Sequence, residues 1–140
     1  MAIDTATGSN ETVAFEGAAF VTDISPDSRR ALAFRTGGTW GLYPLGGGGP
    51  VPVPGIGPDD TSLKVSDDRT LFVAANGQLP VRVYRLDLTT GAKTILKDFE
   101  PPDKAGVSYV RNVVLSADGS AYAYQYRRWL SNLFVAKGLE

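Results

Sequence analysis

The tetrad Ser25-Pro26-Asp27-Ser28 lies between two short apolar runs, one ending at Ile24 and the other spanning residues 31–34. Two similar tetrads, Ser66-Asp67-Asp68-Arg69 and Ser116-Ala117-Asp118-Gly119, are flanked by apolar runs in the same way. Serine and aspartate favour tight turns because their side chains hydrogen-bond to nearby backbone groups. Each tetrad with its two runs therefore predicts a strand, a tight turn and a second strand. The tetrads begin at positions 25, 66 and 116, so the unit repeats after 41 and then after 50 residues.

A second marker repeats at nearly the same distance. The sequence from Ile3 to Gly8 is similar to that from Leu86 to Gly91, and a glycine run at 46–49 lies between them. The glycines at 8, 49 and 91 are 41 and 42 residues apart, and an extended run follows each of them. A period of about 40–45 residues with four short strands per unit is typical of β-propeller blades. The two markers together predict a repeat of this kind.

The repeat predicts an all-β chain, a partial β-propeller with three blade equivalents of four-stranded antiparallel sheet, since no segment shows a sustained helical period. One blade is expected at residues 20–55 and the next at 61–98, with an insertion at 98–106 that accounts for the longer spacing. The third blade is split between residues 107–138 and residues 2–16. The expected strands are 21–24, 30–34, 40–45 and 51–53, then 63–65, 70–75, 81–87 and 93–97, then 107–115, 120–126 and 133–137, with 11–15 as the fourth strand of the split blade.

The composition excludes several classes of function. Among its 140 residues the chain has 14 Lys and Arg against 15 Asp and Glu, so it lacks the basic excess of a nucleic-acid-binding protein. It contains no cysteine and no histidine, which removes thiol nucleophiles, imidazole bases and the commonest metal ligands. No apolar stretch approaches the roughly 20 residues of a membrane span. We therefore expect a protein that is not an enzyme, has no cofactor or metal, and does not insert this segment into a membrane.

Two further patterns are interpreted as structural features of the chain. The acidic pairs Asp59-Asp60 and Asp67-Asp68 lack the alternating oxygen spacing of a calcium-binding loop, and we expect them to cap turns. The alternation of Tyr122, Tyr124 and Tyr126 predicts one face of a buried strand. Neither pattern indicates a catalytic site.

The irregular segments of the chain all fall on one face of the predicted propeller. Strands of a blade run up and down, so the first-to-second and third-to-fourth turns share one face, and the other connections share the opposite face. The opposite face carries the segments 35–39, 76–80 and 127–131 and the insertion at 98–106. Binding residues concentrate on loops that a rigid scaffold positions, so we expect a protein or small ligand to bind there. The candidate partner-binding residues are Arg35, Gln78, Lys104, Arg127, Arg128 and Trp129.

The Ser-Pro-Asp turn at 25–27, the run 83–91 and the ending 124–139 resemble TolB-type, WD40-like β-propeller repeats. More narrowly, 78–91 and 120–139 are similar to the C-terminal end of bacterial eukaryotic-like serine/threonine kinases. In such kinases a membrane span usually separates a cytoplasmic kinase domain from the propeller, so the resemblance implies an extracytoplasmic location.

The resemblance implies a non-catalytic interaction or sensor module in a receptor-like kinase or a TolB-like protein. The glycine-rich loop, the His-Arg-Asp loop and the Asp-Phe-Gly motif of kinases are absent from the sequence, so kinase activity is not implied. The alternative is a fragment of the propeller of a prolyl-oligopeptidase-type serine peptidase, which uses similar repeats.

Three blades are too few to close a ring, because propellers typically close with about 4–8 blades. We therefore expect the chain to belong to a longer propeller. We expect that the isolated chain is stable only when two copies pair through their split blades and form a six-bladed homodimer. The exposed blade flanks and unpaired strand edges of an open arc favour such association.

Overall fold

A computed structural model describes residues 2–3, 8, 10–11, 14–132, 134 and 138 of the chain. In this part the chain is all-β, with every strand pair antiparallel and no helix, and hence no helix that could cross a membrane. The strands are β1 (Ala2–Ile3), β2 (Asn10–Glu11), β3 (Ala18–Ile24), β4 (Arg30–Arg35), β5 (Trp40–Pro44), β6 (Val51–Pro52), β7 (Asp60–Val65), β8 (Thr70–Ala75), β9 (Val81–Asp87), β10 (Lys93–Phe99), β11 (Val107–Leu115) and β12 (Tyr122–Arg128).

The strands form sheets in chain order. The first sheet is the meander β3–β6, the second sheet is the meander β7–β10, and β11 with β12 makes a third hairpin. Strands β1 and β2 pair with each other in a separate short hairpin. Within the described residues, the repeated antiparallel sheets thus confirm the all-β prediction. Strand β3 begins three residues earlier than predicted because Phe20 stacks on its cross-strand partner Phe34, with ring centroids 5.3 Å apart.

The predicted turn chemistry is confirmed at the first and third tetrads. The backbone N–H of Ser25 donates to the carbonyl of Arg30, and its hydroxyl donates to Asp27. These contacts close the turn between β3 and β4, and the hydrogen bond from Ser25 helps to lower the pKa of Asp27. Ser116 and Asp118 repeat the arrangement between β11 and β12.

The second sheet buries side chains on both of its faces. Leu71, Val73 and Leu86 pack against the first sheet in one apolar cluster. On the other face, Phe72 and Val83 join a second cluster with β11 of the third hairpin. Alternate residues of a strand point to opposite faces, which explains why the whole run 71–74 is apolar. We call the two contacts the first seam, between the first and second sheets, and the second seam, between the second sheet and the third hairpin.

The third hairpin departs from the prediction of a buried tyrosine strand. The three tyrosines occupy alternate positions of β12, but Tyr122 and Tyr126 are each 46% exposed. Only part of this face is covered by the second sheet, where Phe99 of β10 packs edge-to-face on Tyr122 with ring centroids 4.9 Å apart. The expected strand at 133–137 lies almost wholly outside the described residues.

Part of the expected strand 11–15 packs on the first sheet. Residue Glu11 lies in β2, whereas residues 14–15 are not in a strand and 12–13 are outside the described residues. Phe15 packs edge-to-face on Tyr43, with ring centroids 5.3 Å apart, and the Tyr43 hydroxyl donates to the carbonyl of Glu16 at 2.8 Å. This segment therefore contacts the first sheet.

Candidate functional site

A groove opens along the second seam. Its upper part, about 540 Å³ in volume, lies between the turn that joins β8 to β9 and the first half of β11. An adjoining cavity of about 400 Å³ continues between β7 and β11. Both are lined by Asn76, Val81, Val110 and Arg111. We call the two together the seam groove.

The seam groove has an apolar floor and a mixed rim. Val81 and Val110, which belong to the second apolar cluster, are buried beneath it. The β8–β9 turn forms the rim, with exposed amide side chains at Asn76 and Gln78 and with Leu79 exposed by 44%. The turn is anchored at its base, because the backbone N–H of Asn76 donates to the carbonyl of Asp59 at 2.8 Å. Apolar and hydrogen-bonding groups are therefore fixed side by side.

A series of stacked cationic and aromatic side chains borders the groove on β11 and β12. The guanidinium carbon of Arg111 lies 4.4 Å from the ring centroid of Tyr109. The guanidinium carbon of Arg127 lies 6.0 Å from the same ring and 3.9 Å from the Trp129 ring. Tyr109 and Arg127 are cross-strand partners, and Arg111 is two residues along β11, so all three share one face of the hairpin. Among the described residues neither guanidinium forms an ion pair with a carboxylate.

Three of the sequence-predicted residues gather at this site. Gln78 lines the groove, and Arg127 and Trp129 belong to the stacked series beside it. Sequence reasoning missed Tyr109 and Arg111, which line the groove directly. The signal was present as an aromatic and a cationic residue at alternate positions of one strand.

The other three predicted residues are engaged elsewhere. Arg128 holds the 98–106 insertion, donating to the Asp103 carboxylate at 2.9 Å, and a hydrogen bond from the Ala105 backbone together with Arg128 lowers the pKa of Asp103. Lys104 forms an exposed ion pair with Glu100 at 2.8 Å. Arg35 lies on the first sheet, where its aliphatic stem packs against Gly41. None of these three residues lines the seam groove.

Chemically, the seam groove offers amides, hydroxyls, guanidinium groups and an apolar floor, which suits non-covalent binding of another molecule. In the described ranges, no three acidic side chains come together in a way that could hold a metal ion. Comparison of the chain with family models, with curated proteins and with solved structures finds no match.

Proposed function

We propose that the chain is an arc of β-propeller blades that acts as a non-catalytic protein-interaction module. The seam groove is the docking site for an extended segment of a partner protein. The observation that carries this proposal is the convergence of exposed Gln78, Leu79 and Arg111 over the buried floor of Val81 and Val110. Apolar pockets with a few fixed polar groups are the usual form of binding sites.

The blade architecture is supported by the packing of the sheets. Each four-stranded sheet is a meander of consecutive strands, and the second sheet is covered on both faces, as a blade is by its two neighbours. The sequence resemblance to TolB-like proteins and receptor-like kinases supports the same assignment. The peptidase alternative rests on the sequence repeats alone.

The exposed apolar side chains at the two ends of the arc support the packing of further blades there. On the first sheet, Ile24 is 48% exposed, and Val21 is exposed beside the cross-strand partner Ala33. On the third hairpin, Val114 is 58% exposed. We propose that neighbouring blades cover these side chains, supplied by a longer chain or by a second copy in a six-bladed ring.

The docking proposal is tested by selecting peptides from a displayed random library against the chain. The selection is repeated against Leu79→Asp, which places a charge on the groove rim. Ile95→Asp is the matched control, because Ile95 is similarly exposed but lies on the outer strand β10. Peptides that bind the chain and Ile95→Asp but not Leu79→Asp would support the proposal. A selection that yields only peptides indifferent to Leu79→Asp would overturn it.

A further inference from the structure

One edge of β11 faces the seam groove. The consecutive residues Ser108, Tyr109, Val110 and Arg111 all line it, although alternate residues of a strand point to opposite faces. A groove lined in this way runs along the strand edge. Among the described residues β11 pairs only with β12, so its other edge presents unpaired N–H and C=O groups to the groove.

The regular part of this edge has a defined end. At Asn112 the backbone takes a φ of 51°, and the pairing with β12 shifts between Arg111 and Val114. The Asn112 side chain is held there by a hydrogen bond to Gln125 at 2.8 Å. A bulge of this kind interrupts the ladder, so an added strand would stop near Arg111.

The charge at this end is positive. Arg111 lines the groove, Arg127 shares the ring of Tyr109 with it, and no aspartate or glutamate that the structure describes lines either part of the groove. Two other arginines of the described residues are neutralised by ion pairs, Arg82 with Asp98 at 2.7 Å and Arg128 with Asp103 at 2.9 Å. Arginine binds carboxylates strongly through charge-assisted hydrogen bonds.

We infer that the segment docking in the seam groove is an acidic peptide in extended conformation. It adds as a strand to the free edge of β11 at residues 108–111 and places a carboxylate against Arg111. This inference rests on the proposed function, and it names the chemistry of the partner. Strand addition supplies affinity through backbone hydrogen bonds, and the charged contact supplies specificity.

The test uses synthetic copies of the selected peptides and copies in which every glutamate or aspartate is replaced by glutamine or asparagine. The neutral copies should bind the chain about tenfold more weakly, as expected for loss of a charge-assisted hydrogen bond. Arg111→Gln should weaken the acidic peptide by a similar factor and leave the neutral copy unaffected. Arg85→Gln, which removes an exposed charge on β9, is the matched control and should bind like the unaltered chain.

Two outcomes separate the inference from the proposed function. Neutral copies that bind as tightly as the acidic peptides, while still depending on Leu79, would overturn the acidic partner and leave the docking site intact. Failure to find any groove-dependent peptide would overturn both. Amide hydrogen exchange tests the strand addition itself, because alternate amides of residues 108–111 should be slowed by bound peptide. Unchanged exchange there would overturn it.

Discussion

The carboxylate of Asp23 on β3 joins the first sheet to the second across the first seam. One oxygen accepts a hydrogen bond from the Lys64 ammonium at 2.7 Å, and the other accepts from the backbone N–H of Val65 at 2.7 Å. The Asp23 side chain is 14% exposed, so water replaces these contacts poorly. One side chain of β3 thus binds two residues of β7 that lie 41 and 42 positions later in the sequence.

Asp23→Ala should lower the free energy of unfolding by about 1–3 kcal/mol, because it leaves the Val65 N–H and the Lys64 ammonium without their acceptor. Asp23→Asn should cost less, since an amide oxygen still accepts from Val65. Urea unfolding measures both changes. The exposed Asp68 provides the control, and an Asp23→Ala protein as stable as Asp68→Ala would contradict the prediction.

Gly119→Ala should be more destabilising than Gly77→Ala. Both glycines have a positive φ, 73° and 81°, which costs an alanine about 1–2 kcal/mol. A Cβ at 119 would in addition lie 2.8 Å from Cζ of the buried Phe72, whereas a Cβ at 77 meets open space. The overlap should add about 1–3 kcal/mol. Equal urea midpoints for the two variants would contradict this, because they would show that Phe72 can move away from the new Cβ without loss of stability.

Asp118 should contribute to stability in a pH-dependent way. Hydrogen bonds from Ser116 and Ser120 hold its pKa at about 2, below the usual value of 3.8. Because the folded state favours the ionised form, this contribution is complete above pH 3.8 and is lost as the pH falls towards 2. The stability difference between the chain and Asp118→Asn should therefore shrink across that window.

Urea unfolding at a series of pH values measures this difference, and an NMR titration of the Asp118 carboxyl measures the pKa directly. Ser116→Ala should raise that pKa because it removes the hydroxyl donor. A stability difference that stays constant from neutral pH down to pH 2 would be incompatible with this role.

Ile24→Glu should prevent the pairing of two copies. The substitution places a charge on the open face of the first sheet, which we propose is covered in the six-bladed ring. Light scattering should show the unaltered chain at twice its 14.9 kDa mass and the variant at the single mass. Ile95→Glu is the control on the outer strand β10, and deletion of residues 1–16 should act like Ile24→Glu. A well-folded chain that is monomeric without any substitution would exclude the pairing.

Local chemistry made the sheets predictable. Ser25 and Asp27 act on backbone groups within five residues, so their turn can be read directly from the sequence. The run 71–74 was equally informative, because a strand buried on both faces is apolar at every position. Strand ends were harder to predict. The extension of β3 to Ala18 depends on Phe20 meeting Phe34, a contact that exists only once the pairing is set.

The seam groove was only partly predictable for the same reason. Gln78 was identified because it lies in the connection between β8 and β9. Arg127 was identified because the sequence places it in the irregular segment 127–131, although in the structure it belongs to β12. Arg111 lies within a strand, and its place beside Arg127 depends on the pairing register of β11 with β12. The bulge at Asn112 shifts that register, and a single asparagine within a strand pattern is too weak a signal to predict it. The ion pair of Arg128 with Asp103 was not predictable from the repeat, because Asp103 lies in an insertion that has no counterpart in the other repeats.

The burial of both faces of the second sheet determines the order in which the parts of the chain should unfold. The two neighbours cover opposite faces of that sheet, so the stability of the arc resembles that of a row of units coupled only to their nearest neighbours. Unfolding should begin at the first sheet and the third hairpin and reach β8 last, because Leu71 anchors β8 in the first seam and Phe72 anchors it in the second. The amides of β8 should therefore exchange with solvent only when the whole array melts.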